Sequence, residues 1–311
     1  MSSVPAGALT NQDVTSSGER RDPRLDQSQT SGTVLETVHP PAYGRGLIVS
    51  IIAAAVVFAL AIFASGGKET YTGIPMTQTT GALFWGLTVL AIVAVGLGAQ
   101  YAEGIAARIA ESLGQESRSD GVPAAWAVPA ASMATALLLV ATYHNRFMLI
   151  AGPLIAFFGV AGGLFARDLL EDVLEGTERT AALIHTVVIH VIAFLGLSAV
   201  YMNRMTGWYG APIVFLLTGA LIFEHLDRTQ LPVQTRVLYT LLSSGIVAVA
   251  LLAVNFWPTY GWTGGGALLL VFFVTAAMCS VRAGRGTLRE RDLIEYGAIF
   301  LAGMIILAVT M

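Results

Sequence analysis

The chain has 311 residues, of which 55% are hydrophobic and only 12% carry a charge. An average soluble domain carries about 25% charged residues, so this composition leaves too little polar surface to cover a soluble particle. The mean hydropathy of +0.70 supports the same conclusion. The formal net charge of −3 argues against a nucleic-acid-binding surface, and the single cysteine excludes an intrachain disulfide.

The first 45 residues differ in character from the rest of the chain. Residues 1–45 are rich in Ser, Thr, Gln, Gly and charged residues, with almost no apolar clustering. Such a segment cannot bury enough apolar surface to offset the entropy lost on ordering. We therefore predict a disordered cytoplasmic N-terminal tail over 1–45 and a transmembrane domain over 46–311.

Nine apolar stretches follow the tail, most of them near the roughly 20 residues that a helix needs to cross a bilayer. Because only helices and closed barrels satisfy their backbone hydrogen bonds in lipid, we predict an all-α polytopic membrane protein. The expected architecture is a bundle of about nine transmembrane helices. The predicted spans are 46–65, 81–102, 124–142, 147–166, 181–202, 208–225, 233–256, 265–281 and 292–310.

The positive residues predict how the chain is oriented in the cell (cytoplasmic) membrane. With the N-terminus inside, only Lys68, Arg146 and Arg204 of the 17 lysine and arginine residues fall outside. Cytoplasmic loops carry an excess of Lys and Arg, so this asymmetry predicts an N-in, C-out topology. Only Glu69 of the 20 acidic residues falls outside, so the cytoplasmic face is the charged face.

An acidic segment after the fourth span is a candidate docking surface on the cytoplasmic face. Its carboxylates recur at helical spacing, so they share one face of a helix that runs past the membrane. They are Asp168, Glu171, Asp172 and Glu175, and we call this segment the acidic elbow. It predicts possible protein partners of basic character. The alternative interpretation is a solvated helix face above leucines that lie on headgroups or neighbouring helices.

Two cytoplasmic turns read similarly. Residues 163–169 are Gly-Leu-Phe-Ala-Arg-Asp-Leu, and residues 220–226 are Ala-Leu-Ile-Phe-Glu-His-Leu. The match is weak, and a shared topology alone could produce it, so no duplication is inferred.

The fifth span carries the histidines that lie well inside a predicted helix, His185 and His190. Polar groups at bilayer depth are costly, so they indicate a functional site. Their separation of five residues places them about 140° apart on the helix, so they cannot hold one metal together. For each of them, a hydrogen-bonded structural histidine is the alternative interpretation. The candidates for a ligand site or pore are His190, Tyr201, Thr186, Asn255 and His185.

The sequence shows no pattern typical of catalysis or cofactor binding. Phosphate-binding loops, histidine boxes and aspartate-rich prenyltransferase patterns are absent, so no catalytic residue, cofactor or metal is predicted. We also expect no Asp, Glu, Lys or Arg deep in any span, whereas coupled transporters usually need one.

Three functions remain open. The first is a membrane scaffold or assembly subunit of a larger complex, which the scarcity of intramembrane charge favours. The second is a permease or channel-like protein for an uncharged or apolar solute. The third is an intramembrane enzyme acting on a lipid or isoprenoid substrate.

Overall fold

The structure, a computed structural model, describes residues 43–65, 76–112, 123–143, 145–171, 177–203, 209–227, 229, 231–256 and 262–310. Within these ranges the chain forms nine α-helices and no strand, which confirms the all-α prediction. The helices are α1 (Tyr43–Ser65), α2 (Met76–Ser112), α3 (Ala127–Tyr143), α4 (Met148–Glu171), α5 (Thr177–Met202), α6 (Gly210–Asp227), α7 (Val233–Asn255), α8 (Trp262–Arg285) and α9 (Glu290–Val309). Apart from residues 43–45, which open α1, the predicted tail 1–45 lies outside the described residues.

Eight of these helices, all except α3, are long and apolar enough to cross a membrane. The multi-span helical architecture is therefore confirmed, whereas the N-in, C-out orientation stays a prediction. Helix α3 has 17 residues and is about 26 Å long, somewhat short of the roughly 30 Å hydrocarbon core. The spans predicted at 208–225 and 265–281 become α6 and α8, and α8 continues past Arg282 to 24 residues.

Two glycines mark where helices break or end. Within α2, Gly81 has φ of 75°, a left-handed conformation that glycine adopts without strain, so the continuous helix starts there. Gly286 follows the end of α8 with φ of 72°, and its N–H donates to the Arg282 carbonyl at 2.9 Å. This is a left-handed C-cap, and it turns the chain into α9.

Helix α3 lies at the centre of the bundle. It packs against α1, α2, α4, α5 and α6, and every side chain in it except Ala134 and Tyr143 is buried. Around this centre, α1 packs on α4, and α7 packs on α6 and α8. Helix α9 stands at the edge and packs against α8. A short helix is tolerated at the centre because protein, rather than lipid, surrounds it.

Glycines on α4 allow it to approach α3 closely. A Cβ on Gly159 would lie 2.7 Å from the Ser132 Cβ, and one on Gly163 would lie 2.7 Å from a Val128 methyl carbon. Real Cβ atoms do not approach other atoms this closely, so the two positions require glycine or a local shift. Their spacing of four residues puts both on the face of α4 that meets α3, which is a small-xxx-small packing surface.

Gly159→Ala is expected to destabilise the bundle relative to Gly98→Ala. Both changes add the same methyl group to a helix, but a Cβ on Gly98 meets nothing within 4 Å. Overpacking a filled core costs about 1–3 kcal/mol, so the Gly159 variant should unfold at the lower temperature. Thermal unfolding of the two detergent-solubilised variants measures the difference. Equal midpoints would contradict a closely packed interface between α3 and α4.

Candidate functional site

Arg167, near the end of α4, is the centre of a network of buried and half-buried charged side chains. Its Nη1 donates to Glu224 Oε1 at 2.6 Å and lies 3.3 Å from Asp227 Oδ2, both on α6. Its Nη2 pairs with Glu103 on α2. One guanidinium therefore connects α4 to α2 and α6.

Glu224 is shared between two helices. The same Oε1 that accepts from Arg167 lies 3.2 Å from His185 Nε2 on α5. The side chains of His185 and Glu224 are 1% and 2% exposed, so this pair is enclosed by protein. Glu224 thus joins α5 to the network.

Arg236, in the first turn of α7, completes the network. Its Nη1 pairs with Asp227 Oδ1, while Asp227 Oδ2 faces Arg167. The Arg236 guanidinium also lies 4.0 Å from the centre of the Phe223 ring, a cation–π arrangement. Asp227 therefore bridges two guanidinium groups on different helices.

Together these side chains form what we call the ionic cluster, which joins α2, α4, α5, α6 and α7. Its members are Glu103, Arg167, His185, Glu224, Asp227 and Arg236. Charges removed from water are costly unless each is matched by an opposite charge and by hydrogen bonds. All the helix ends involved fall on the side that the arginine count predicts as cytoplasmic.

The sequence did not predict this cluster, although no charged side chain was expected deep in a span and the charges found here lie near span ends. Glu224 and Arg236 lie within candidate spans Gly210–Asp227 and Val233–Asn255, and they are only 2% and 4% exposed. Charged side chains near span ends can pair inside the bundle instead of reaching the headgroups. Aligning the similar segments 163–169 and 220–226 makes Arg167 and Glu224 equivalent positions, which does not by itself predict a contact between them.

The two histidines of α5 face different helices, as their spacing predicts. His185 points to α6, where it meets Glu224. His190 meets α8, where its ring stands edge-to-face against Phe272 and Phe273 at centroid distances of 5.6 and 5.5 Å. The structure therefore places them in separate environments.

His190 uses one ring nitrogen for a hydrogen bond within its own helix. Nδ1 lies 2.7 Å from the Thr186 carbonyl on the same helix. A carbonyl oxygen only accepts, so Nδ1 carries the proton and Nε2 of the neutral ring is an acceptor. Nε2 is buried and has no hydrogen-bond partner among the described residues.

His190 lines a cavity of about 320 Å³ between α5, α8 and α9. We call this cavity the His190 groove. The other lining residues include Gly266, Leu270 and Phe273 on α8, and Gly303 and Leu307 on α9. Apart from the imidazole, these walls are apolar.

The other four ligand candidates do not line the His190 groove. Tyr201 is nearly buried and packs against Gly264 of α8. Asn255 is half-buried at the end of α7, which packs on α6 and α8. The Thr186 hydroxyl donates to the Ala182 carbonyl at 2.8 Å, so Thr186 contributes to the groove only through its own carbonyl. Of the five candidates, His190 alone lines the groove.

The acidic elbow begins in the last turn of α4. The backbone of Asp168 and Glu171 belongs to this helix, immediately after Arg167. The side chains of both residues, together with Asp172 and Glu175, lie outside the described part of the chain. The proposed docking role of the elbow stays a prediction.

An all-helical bundle with eight helices able to cross a membrane is the architecture of a multi-span membrane protein. The chain belongs to the family described as protein of unknown function (DUF5656), which matches residues 68–311. The match includes α2 to α9, and therefore both the ionic cluster and the His190 groove. No curated protein and no solved structure matches the chain.

Arg167→Met is expected to lower the free energy of unfolding strongly. The change leaves Glu224 and Glu103 without their guanidinium, and breaking a buried ion pair by removing one partner costs about 3–5 kcal/mol. Titration of the folded protein in mixed micelles with a denaturing detergent measures the loss. Arg291→Met, at an exposed position of α9, is the matched control and should cost little.

A second variant separates the ion pair from a packing effect. In the double variant Arg167→Met with Glu224→Gln, the uncompensated carboxylate is gone, so part of the lost stability should return. If the double variant loses the sum of the two single losses, Arg167 and Glu224 are not coupled and the cluster does not act as described.

Proposed function

We propose that this chain is a membrane scaffold or assembly subunit of the cell membrane, with its charged face in the cytoplasm. The observation that carries the proposal is the central position of α3. Its buried side chains occupy the middle of the bundle, where a solute path through the protein would run. A bundle whose centre is filled by a buried helix is better suited to a rigid structural role than to conducting a solute.

The ionic cluster supports the same function. It ties five helices together at one end, and separating them would expose paired charges to the low-dielectric interior. Transporters that work by alternating access rock one group of helices against another. Linking α2, α4, α5, α6 and α7 through shared charges opposes such a motion.

The location of the acidic elbow suggests how a partner would be held. The elbow starts one residue after Arg167, whose guanidinium is held by α2 and α6. The carboxylates of the elbow would suit a partner segment rich in Lys and Arg.

A second candidate function is binding of an uncharged or apolar solute, and the His190 groove is the observation that favours it. The groove lies between α5 and the edge helices α8 and α9 rather than at α3. Its position therefore suits a lateral binding site better than a path across the bundle.

The scaffold proposal predicts a stoichiometric partner. The full chain, extracted from native membranes in lipid particles, should have a mass larger than the chain alone and contain a second protein at a fixed ratio. Asp172→Lys with Glu175→Lys should release that protein, because the reversed charges repel a basic partner. Native mass spectrometry of the particles measures the ratio.

Glu290→Lys with Glu295→Lys is the matched control, since it reverses two exposed charges on the same predicted side of the membrane. This variant should keep the partner. A chain that is extracted alone, or a partner released equally by both double variants, would overturn the proposal.

A further inference from the structure

We infer that the His190 groove binds an uncharged, apolar lipid with a single hydroxyl group, and that this hydroxyl donates a hydrogen bond to His190 Nε2. The inference is independent of the scaffold function, because the groove and the ionic cluster use different faces of α5.

The first step is the unsatisfied nitrogen. Nδ1 donates to the Thr186 carbonyl, so the neutral ring presents Nε2 as an acceptor. Nε2 is buried and has no hydrogen-bond partner among the residues that the structure describes. In lipid no bulk water is present to supply the missing hydrogen bond. A ligand that carries a hydrogen-bond donor would therefore bind more tightly than one without it.

The second step is depth. His190 lies near the middle of the candidate span Thr180–Met202, about 15 Å from one end and about 18 Å from the other at about 1.5 Å per residue. Phospholipid headgroups lie at the interface, roughly 15 Å from the bilayer midplane, and do not reach this nitrogen. The donor must belong to a molecule that enters the hydrocarbon core. A single hydroxyl on an apolar body meets this requirement, whereas a charged headgroup does not.

The third step is the shape of the groove. Gly266 of α8 faces Leu307 of α9, and Gly303 of α9 faces Leu270 of α8, so each glycine leaves room for the opposite leucine. A Cβ on Gly303 would lie 2.7 Å from a Leu270 methyl carbon. It would displace the Leu270 side chain, which forms part of the groove wall. The cavity of about 320 Å³ is at the small end of the roughly 300–1,000 Å³ range of small-molecule pockets.

The fourth step is access from the bilayer. Helix α9 packs against α8 at the edge of the bundle, and Asp292 is its only buried residue between Glu290 and Val309. Asp292 accepts from Arg285 at 3.0 Å, which holds the start of α9 against the end of α8. The rest of α9 is held by apolar contacts alone among its described neighbours. Outward movement of that part would admit a lipid tail beside Phe273.

The test uses two photoreactive, alkyne-bearing probes, an analogue of the isoprenoid alcohol farnesol and its methyl ether. The two have the same apolar body, but only the alcohol can donate a hydrogen bond. A hydrogen bond of about 1 kcal/mol corresponds to roughly five-fold tighter binding. Labelling of the full chain in nanodiscs, mapped by mass spectrometry, should favour the alcohol about five-fold in peptides containing Leu269–Phe273 and Gly303–Leu307.

Two variants connect the effect to the groove. His190→Phe removes the acceptor and should reduce alcohol labelling to the level of the ether. Gly303→Ala should reduce labelling by both probes, whereas Gly297→Ala on the same helix meets nothing within 4 Å and should leave it unchanged. If His190→Phe fails to fold, the same selectivity is measured on the unaltered chain by competing with unlabelled farnesol and its ether.

Three results would overturn the inference. Equal labelling by the alcohol and the ether would show that bulk lipid tails fill the groove without recognition. Labelling outside α8 and α9 would place the binding site elsewhere. A Soret absorption band in the purified protein that His190→Phe abolishes would assign Nε2 to haem iron instead.

Discussion

The arrangement of α2, α4, α5, α6 and α7 depends on how a guanidinium near the end of a membrane span is satisfied. Arg167 has carboxylates from two other helices around it, and Glu224 and Asp227 extend the pairing to His185 and Arg236. Arg167 and its carboxylates constrain α2, α4 and α6 together, and Glu224 and Asp227 extend this constraint to α5 and α7. A buried ion pair adds little net stability compared with apolar packing. Its attraction offsets the cost of desolvation only when the charged groups are held at the right distance and angle. The cluster therefore fixes relative position and depth rather than supplying most of the folding energy.

The centre of the bundle obeys a different constraint, since close packing holds α3 in place and the cross-helix hydrogen bonds are few. The Thr135 hydroxyl donates to the Ile192 carbonyl of α5 at 3.5 Å, and the Asn203 amide donates to the Thr142 hydroxyl at 2.5 Å. Alanine and small polar side chains line α3, and its Ser132 and Thr142 hydroxyls donate to their own helix carbonyls at 2.7 and 2.6 Å. Such local bonds remove the cost of a polar group without needing a partner helix. Glycines on α4 then bring the two backbones close together, and van der Waals contact drives packing where lipid provides no hydrophobic contrast. The ionic cluster sets the register at one end, and α3 fills the space between the helices.

Hydropathy and helical spacing in the sequence predicted most of the fold. The ionic cluster and the His190 groove could be found only from the three-dimensional structure. Hydropathy located every helix, and the helical period correctly separated His185 from His190. Within the ionic cluster, Arg167 pairs with carboxylates 57 to 64 positions away in the sequence, a separation that no local window compares. Glu224 also falls at a span end, where a charge normally reaches water, so its burial depends on Arg167 being opposite. The groove escaped prediction for a similar reason, because its walls come from α5, α8 and α9 and its polar lining is a single histidine.

The two histidines of α5 differ in what their rings contact, and this difference motivates the separate roles that we propose for them. His185 is enclosed by a charged partner from α6 and contributes to the network that positions five helices. His190 faces the edge helices, and among the described residues only its Nδ1 has a hydrogen-bond partner, the Thr186 carbonyl of its own helix. A histidine required only for packing could be replaced by an apolar ring with no buried acceptor to satisfy. An imidazole beside Phe272 and Phe273 carries a solvation cost, which the hydroxyl group of the proposed lipid would offset.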